Sequence, residues 1–279
     1  MTTAALKGCA TDKETTMRTL LTGIGAVVIG ASLAAGQRAP VGYDDTPMQP
    51  NGRWHIHDGK RSQPATVTPG AMSPSPAPQD ATLLLGAGDD RRAWQMMDGA
   101  AVTWAMNNGV LETGKGLIRT RAEFTDYQLH VEFATPKDGK GDSQERGNSG
   151  VFLNGKFEIQ VLDSYQNRTY ADGSAAAMYG QYPPLVNASR APGEWQSYDI
   201  AFTSPRFGAA GTLATPAIVT VLHNGIVVHN ATAFWGPTAH KKIDPYRPDN
   251  AKGPIALQDH GNPVRYRNIW IRPLTANGE

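Results

Sequence analysis

The sequence has a single cysteine, Cys9, in 279 residues. That excludes an internal disulfide and any cysteine-cluster metal site. Neither sign of charge is in excess, because 26 Lys and Arg against 25 Asp and Glu leave a net charge of +1. A nucleic-acid binder would need a basic surplus to neutralise phosphates. Charged residues make up only 18 % of the chain, too few for a coiled coil or a disordered tail. No Gly-x-Gly-x-x-Gly run follows a strand, so no nucleotide cofactor site is read. No apolar run reaches the roughly 20 residues of a membrane span, and no amphipathic helix of three turns follows residue 80. Glycine and proline, by contrast, are abundant at 30 and 20 residues, pointing to many turns and few long helices. Six Trp and nine Tyr supply flat apolar faces.

Residues 1–40 read as a signal or targeting segment. Met17-Arg18 precedes the uncharged stretch Leu20 to Ala35, whose end is rich in small residues. A basic residue, an apolar run and small residues in that order form a secretory pattern. The expectation is export to the periplasm or outside the cell, with an uncleaved anchor as the alternative and Met17 as a possible start. Residues 41–80 form a Pro-rich arm or linker, including Ser73-Pro74-Ser75-Pro76-Ala77-Pro78, which is stiff and extended. Trp54-His55-Ile56-His57-Asp58 places two histidines at i, i+2. On a strand these would share a face, as a metal site needs, but with no further ligand beside them an arm packed on the domain is the simpler reading.

From residue 81 to 274 the dominant period is two. Tyr127, Leu129, Val131 and Phe133 alternate with polar residues, as do Phe157, Ile159 and Val161. His223-Asn224-Gly225 lies between two β-branched runs, and Asn-Gly in that setting signals a hairpin. Tyr198–Phe202 and Arg267–Ile271 add two more strands. The pattern is that of an all-β sandwich or barrel. Glu158 and Gln160 share the outward parity of their strand, and Asn148 and Asn154 rim the strand before it. Carboxylates and amides on one sheet face suit ligands rich in hydroxyls.

Three longer motifs carry a resemblance. They are Gly147-Asn148-Ser149-Gly150-Val151-Phe152-Leu153, Phe157-Glu158-Ile159-Gln160-Val161-Leu162-Asp163-Ser164, and Tyr179-Gly180-Gln181-Tyr182-Pro183-Pro184. Together with Asn187–Asp199 and Leu257–Trp270, they resemble the 3-keto-disaccharide hydrolase family over roughly residues 80–274. The resemblance implies a concanavalin A-like jelly-roll β-sandwich of two antiparallel sheets. It also implies an enzyme that cleaves glycosides whose C3 hydroxyl has been oxidised to a ketone. A ketone at C3 acidifies the C2 proton, so a base can remove it and the C1 oxygen can leave. Such chemistry needs a base, a donor for the enolate oxygen and an acid for the leaving group. The substrate would be a carbohydrate, prepared by a separate 3-oxidising dehydrogenase. No metal ligands are assigned and no cofactor is named. The first strand, Leu83–Asp90, departs from the family's usual phenylalanine–asparagine/aspartate–glycine–lysine turn.

The catalytic candidates are Glu158, His260 and Asp163. Glu158 and Asp163 form E-x-Q-x-x-D, which resembles the E-x-D-x-x-E of laminarinase-type glucanases. Five strand residues span about 16 Å, whereas a retaining glycosidase wants carboxyls ~5–5.5 Å apart. A single base with elimination therefore fits better than double displacement. His260, in Gln258-Asp259-His260-Gly261-Asn262, is a candidate acid or base. Arg119 is a candidate to polarise the ketone oxygen, and Asn148, Gln160, Tyr179, Gln181 and Gln258 are candidate substrate ligands. The competing readings are a noncatalytic carbohydrate-binding jelly roll and a conventional glucan hydrolase.

Overall fold

Alternation of apolar and polar residues puts one face of each strand into a shared core, and two antiparallel sheets result. The computed structural model describes residues 41–73, 75–88 and 91–274. The expected signal segment lies outside them. The described residues contain no α-helix, only four single-turn 3-10 segments. None is long and apolar enough to cross a membrane.

The large sheet has eight strands. From one edge the order is Ile226–Ala233, Ile218–His223, Gln196–Thr203, Tyr127–Ala134 and Arg265–Pro273. Arg265–Pro273 then pairs with Val110–Glu112 near its start and with Thr82–Leu85 near its end, and Ala105–Asn107 flanks Val110–Glu112. The atypical first strand, read over Leu83–Asp90, forms among the described residues only as Thr82–Leu85. The small sheet has five strands in the order Trp94–Met96, Ile118–Thr120, Ala256–Leu257, Ser149–Leu153 and Phe157–Val161.

The sheets meet face to face. Leu129, Val131, Phe133, Ile200 and Phe202 of the large sheet and Ile118, Val151, Leu153, Phe157 and Ile159 of the small sheet belong to one buried cluster. Phe157 packs on Phe202 with ring centroids 5.7 Å apart. Two polar links cross the interface. The Tyr198 hydroxyl donates to the Gln160 carbonyl at 2.7 Å, and the Tyr266 hydroxyl lies 2.7 Å from Ser149 Oγ. Each fully buried large side chain stabilises by roughly 1.5–3 kcal/mol. The chain is thus an all-β jelly-roll sandwich. The Asn224-Gly225 hairpin forms with φ of +52° and +80°, the left-handed values that a two-residue turn of this kind requires.

The arm lies against the sandwich. Ala65–Thr66 pairs in parallel with Val186–Asn187. Gln49 Nε2 donates at 3.0 Å each to Asp172 Oδ2 and to the carbonyls of Gly180 and Gln181. Farther along, Ser75 offers its carbonyl to Asn268 and Trp270 of the large sheet.

Candidate active site

The outward face of the small sheet follows from register. Gln95 is opposite Arg119, Arg119 opposite Ala256, Ala256 opposite Phe152, and Phe152 opposite Glu158. Directly paired residues point to the same side of a sheet, so these five form one row, and its inward neighbours are core residues such as Ile118 and Ile159. Gln160 lies two residues from Glu158 on the same face and pairs with Gly150.

Over Glu158 this face is roofed by two loops. Asn148, Phe152, Glu158, Gln160, Tyr179, Thr238, Ala239, His240, Gln258 and His260 line a hollow of about 280 Å³, at the low end of the size range of small-ligand sites. Gly150 makes room for the acid, since a Cβ there would sit 2.4 Å from Glu158 Oε1. Glu158 is only 5 % exposed. Burial, with no compensating charge, raises its carboxyl from the usual value to about 8. Among the described residues nothing hydrogen-bonds that carboxyl. Beside it, Asn148 Nδ2 donates to the Gln144 carbonyl and Gln160 Nε2 to Gln144 Oε1. Asn148 Oδ1 and Gln160 Oε1 are left buried without a partner. Buried polar atoms are nearly always paired, so these two oxygens suit hydroxyl donors of a ligand.

The far wall is aromatic and basic. The Tyr179 hydroxyl lies 3.0 Å from the Tyr170 hydroxyl and 3.2 Å from His240 Nδ1. Burial holds both tyrosines protonated, well above their ordinary value. Burial first, then His57, Lys241 and His260, pull the His240 imidazole below its usual value, favouring the neutral ring. Behind this wall the arm contributes His57, whose ring packs 4.6 Å from Tyr179 and whose Nδ1 lies 3.3 Å from Asp172 Oδ1. His57 has a φ of +61°, so it does not continue a strand with His55. The His55 ring turns instead to the Thr46 carbonyl. No group of three His, Cys, Asp or Glu side chains able to hold a metal ion occurs among the described residues.

The structure thus gathers Glu158, His260, Asn148, Gln160, Tyr179 and Gln258 around one hollow. It places three other sequence candidates elsewhere. Asp163 forms an ion pair with Arg146 at 2.9 Å and accepts the Tyr165 backbone N–H, so it braces the chain after its strand. Burial raises its carboxyl, with Arg146 pulling the other way. Gln181 is fully buried and spends its amide on the Gly236 carbonyl and the Trp235 N–H, fixing the roof loops to each other. Arg119 stands three strands from Glu158, about 14 Å at ~4.8 Å per strand, and lines a neighbouring hollow. Asp259 serves the backbone N–H groups of Gly116 and Gly261. Asn262 accepts from the Gly147 N–H and donates to the His260 carbonyl, which pins the loop that presents His260. His240, Thr238 and Phe152 also line the site and were not singled out from the sequence. Phe152 could have been found, as the outward residue of a quoted strand.

A family model described as the 3-keto-alpha-glucoside-1,2-lyase-like domain matches residues 80–272. A crystal structure from Parabacteroides distasonis ATCC 8503, provisionally named a glycosyl hydrolase, is 42 % identical. It covers 77 % of this chain and 93 % of its own, with a TM-score of 0.70. A second protein from the same organism with the same provisional name is 20 % identical. It covers 71 % of this chain and 95 % of its own at a TM-score of 0.52, a likeness of fold. No curated protein matches the chain.

Proposed function

The chain belongs to the 3-keto-alpha-glucoside-1,2-lyase-like domain family, and from that premise we propose that it is a carbohydrate-active enzyme that cleaves 3-keto-glycosides by elimination across C1 and C2. The observation that carries this reading is Glu158. It is a buried carboxyl with no hydrogen-bond partner among the described residues, raised to about 8 by its surroundings, in a hollow edged by unpaired amide oxygens. A general base works best when its pKa lies near the working pH, and an ordinary exposed glutamate lies far below it.

In this reading the sugar ring sits over Gly150 with C2 toward Glu158. Hydroxyl donors of the sugar meet Asn148 Oδ1 and Gln160 Oε1. Glu158 takes the C2 proton, and the electron pair passes to the C3 ketone as an enolate. The Gln258 amide donates to that oxygen. The enolate then collapses, the C1–O bond breaks with its electrons on the departing oxygen, and a C1–C2 double bond forms. His260 supplies the proton the leaving oxygen needs. Water added back across C1–C2 turns the same step into net hydrolysis. The neutral His240 and Tyr179 pair shapes the wall against which the ring lies.

Ordinary double displacement finds less support. It needs a second carboxylate ~5–5.5 Å from the first. Glu158 is the only carboxylate among the described residues lining the hollow, and Asp163 is engaged by Arg146. The test is to incubate the full chain with a 3-keto-glucoside and with its unoxidised parent. Aglycone release from the keto compound alone is expected. Release from the parent would mean a conventional glycosidase, and binding of the sugar without release from either would mean a binding module.

A further inference from the structure

We propose that the hollow across Phe152 from Glu158 is a second subsite, which takes the leaving half of the glycoside and favours one bearing a carboxylate. The proposal rests on Glu158 marking the sugar that is cleaved, and it adds what the other end of the substrate is.

The two hollows are adjoining parts of one sheet face. Phe152 lines both and stands in register between Glu158 and Ala256. The second hollow is the larger, about 390 Å³. Its walls are apolar where Met97, Leu117, Phe152 and Pro254 meet, and Ala256 leaves the floor low beneath them. Such a surface takes the flat face of a ring. The row from Glu158 to Arg119 spans about 14 Å at ~4.8 Å per strand. That length accommodates a sugar and a second ring laid across the strands.

Charge decides what the second ring carries. Lys156 is tied to Asp249, which removes both from the balance. The remaining charged residues of the lining, Arg119, Lys252 and Glu123, leave one net positive charge. Among the described residues Arg119 has no ion pair and no side-chain hydrogen bond, and its Nε is buried with no acceptor. A buried N–H without a partner is unfavourable, and an acceptor supplied by a ligand would relieve it. A guanidinium presents its donors as a planar fork that matches a carboxylate. A neutral ring would leave that fork unused.

The test uses the full chain and two pairs of compounds. Phenyl and 4-carboxyphenyl glucosides in their 3-keto forms, both anomers, are compared for kcat/KM. The same compounds are titrated calorimetrically against Glu158→Gln, where nothing turns over. Wild type should favour the carboxyphenyl compound about tenfold, the size of one charge-assisted hydrogen-bonded contact. Arg119→Gln should bring that ratio to about one, and Arg119→Lys, which keeps the charge and loses the fork, should fall between. A tenfold preference in binding with no cleavage of either keto compound would keep the subsite and sink the elimination reading. Cleavage with a ratio near one, or a preference unmoved by Arg119→Gln, would overturn the subsite. Binding of neither compound would overturn both.

Discussion

Replacing Glu158 by Gln should stabilise this protein at alkaline pH even as it removes the proposed base. The reason is burial. The unfolded carboxyl titrates near 4.5, while the folded one titrates at about 8 because its charged form would be desolvated. Between those values the folded protein keeps a proton that the unfolded chain has lost. Stability therefore falls as pH rises through that window, and the loss is complete above about 8. At ~1.4 kcal/mol per pH unit the ceiling is about 5 kcal/mol, and half of that would be decisive. Glutamine has nearly the same shape and never ionises, so the variant has no such slope. His130, on the large sheet, adds a slope of the same sign. Burial pulls its pKa down, but Asp199 and Glu132 outweigh burial and raise it to about 8, so its stabilisation too fades as pH rises. That contribution is common to both proteins and cancels in their difference. The assay is urea unfolding of wild type and Glu158→Gln at pH 5, 7 and 9. The gap should widen toward pH 9 by at least ~2 kcal/mol in favour of the variant. A gap that stays constant over the whole range would refute the raised carboxyl pKa and the assignment of Glu158 as a base tuned toward neutral pH.

Other consequences follow from the same geometry. Gly150→Ala would bring a Cβ to 2.4 Å from Glu158 Oε1 and force the carboxyl aside. We expect about a hundredfold loss of kcat/KM for a stability cost of only about 1–3 kcal/mol; unchanged kinetics would mean that the position of Glu158 does not matter. Gln49→Ala strips a donor from Asp172 and from the Gly180 and Gln181 carbonyls, and thermal unfolding should show a cost of about 1–3 kcal/mol. His229 is buried against the Ala176 carbonyl and held down to about 4 by desolvation. Its neutral form stabilises above the ordinary value of 6.5, and that contribution is lost as pH falls toward 4. His229→Gln should flatten the acid limb of the stability profile by up to about 3 kcal/mol, and an unchanged limb would count against it.

Much of the sandwich was legible because it is local. Period-two alternation fixes which residues face the core, and Asn224-Gly225 fixes a turn within a few residues of both strands it joins. The same parity put Glu158 and Gln160 on one face before any coordinates. What escaped was long-range. The arm meets the domain through Gln49 and Asp172, 123 positions apart, and nothing local announces that pairing. His240 reaches the site from the turn of a hairpin whose strands, Thr238–Ala239 and Lys242–Ile243, are too short to show a period. Asp163 stood in the place of a glucanase-like motif, but Arg146, just after the 3-10 turn Ser143–Glu145, claims it. Gln181 stood within a family motif, yet both ends of its amide hold loop backbone. Arg119 was credited with the ketone oxygen. Only strand order, with two strands between it and Glu158's own, places it outside reach of the same sugar ring.

The most direct test of the central claim is the fate of the C2 hydrogen. A 3-keto-glucoside deuterated at C2 would be turned over by the full chain while aglycone release and label are followed together. Deprotonation by Glu158 predicts slower release than from the unlabelled compound and a sugar product that has lost its deuterium to solvent. Release at an equal rate, with deuterium retained at C2, would contradict the account.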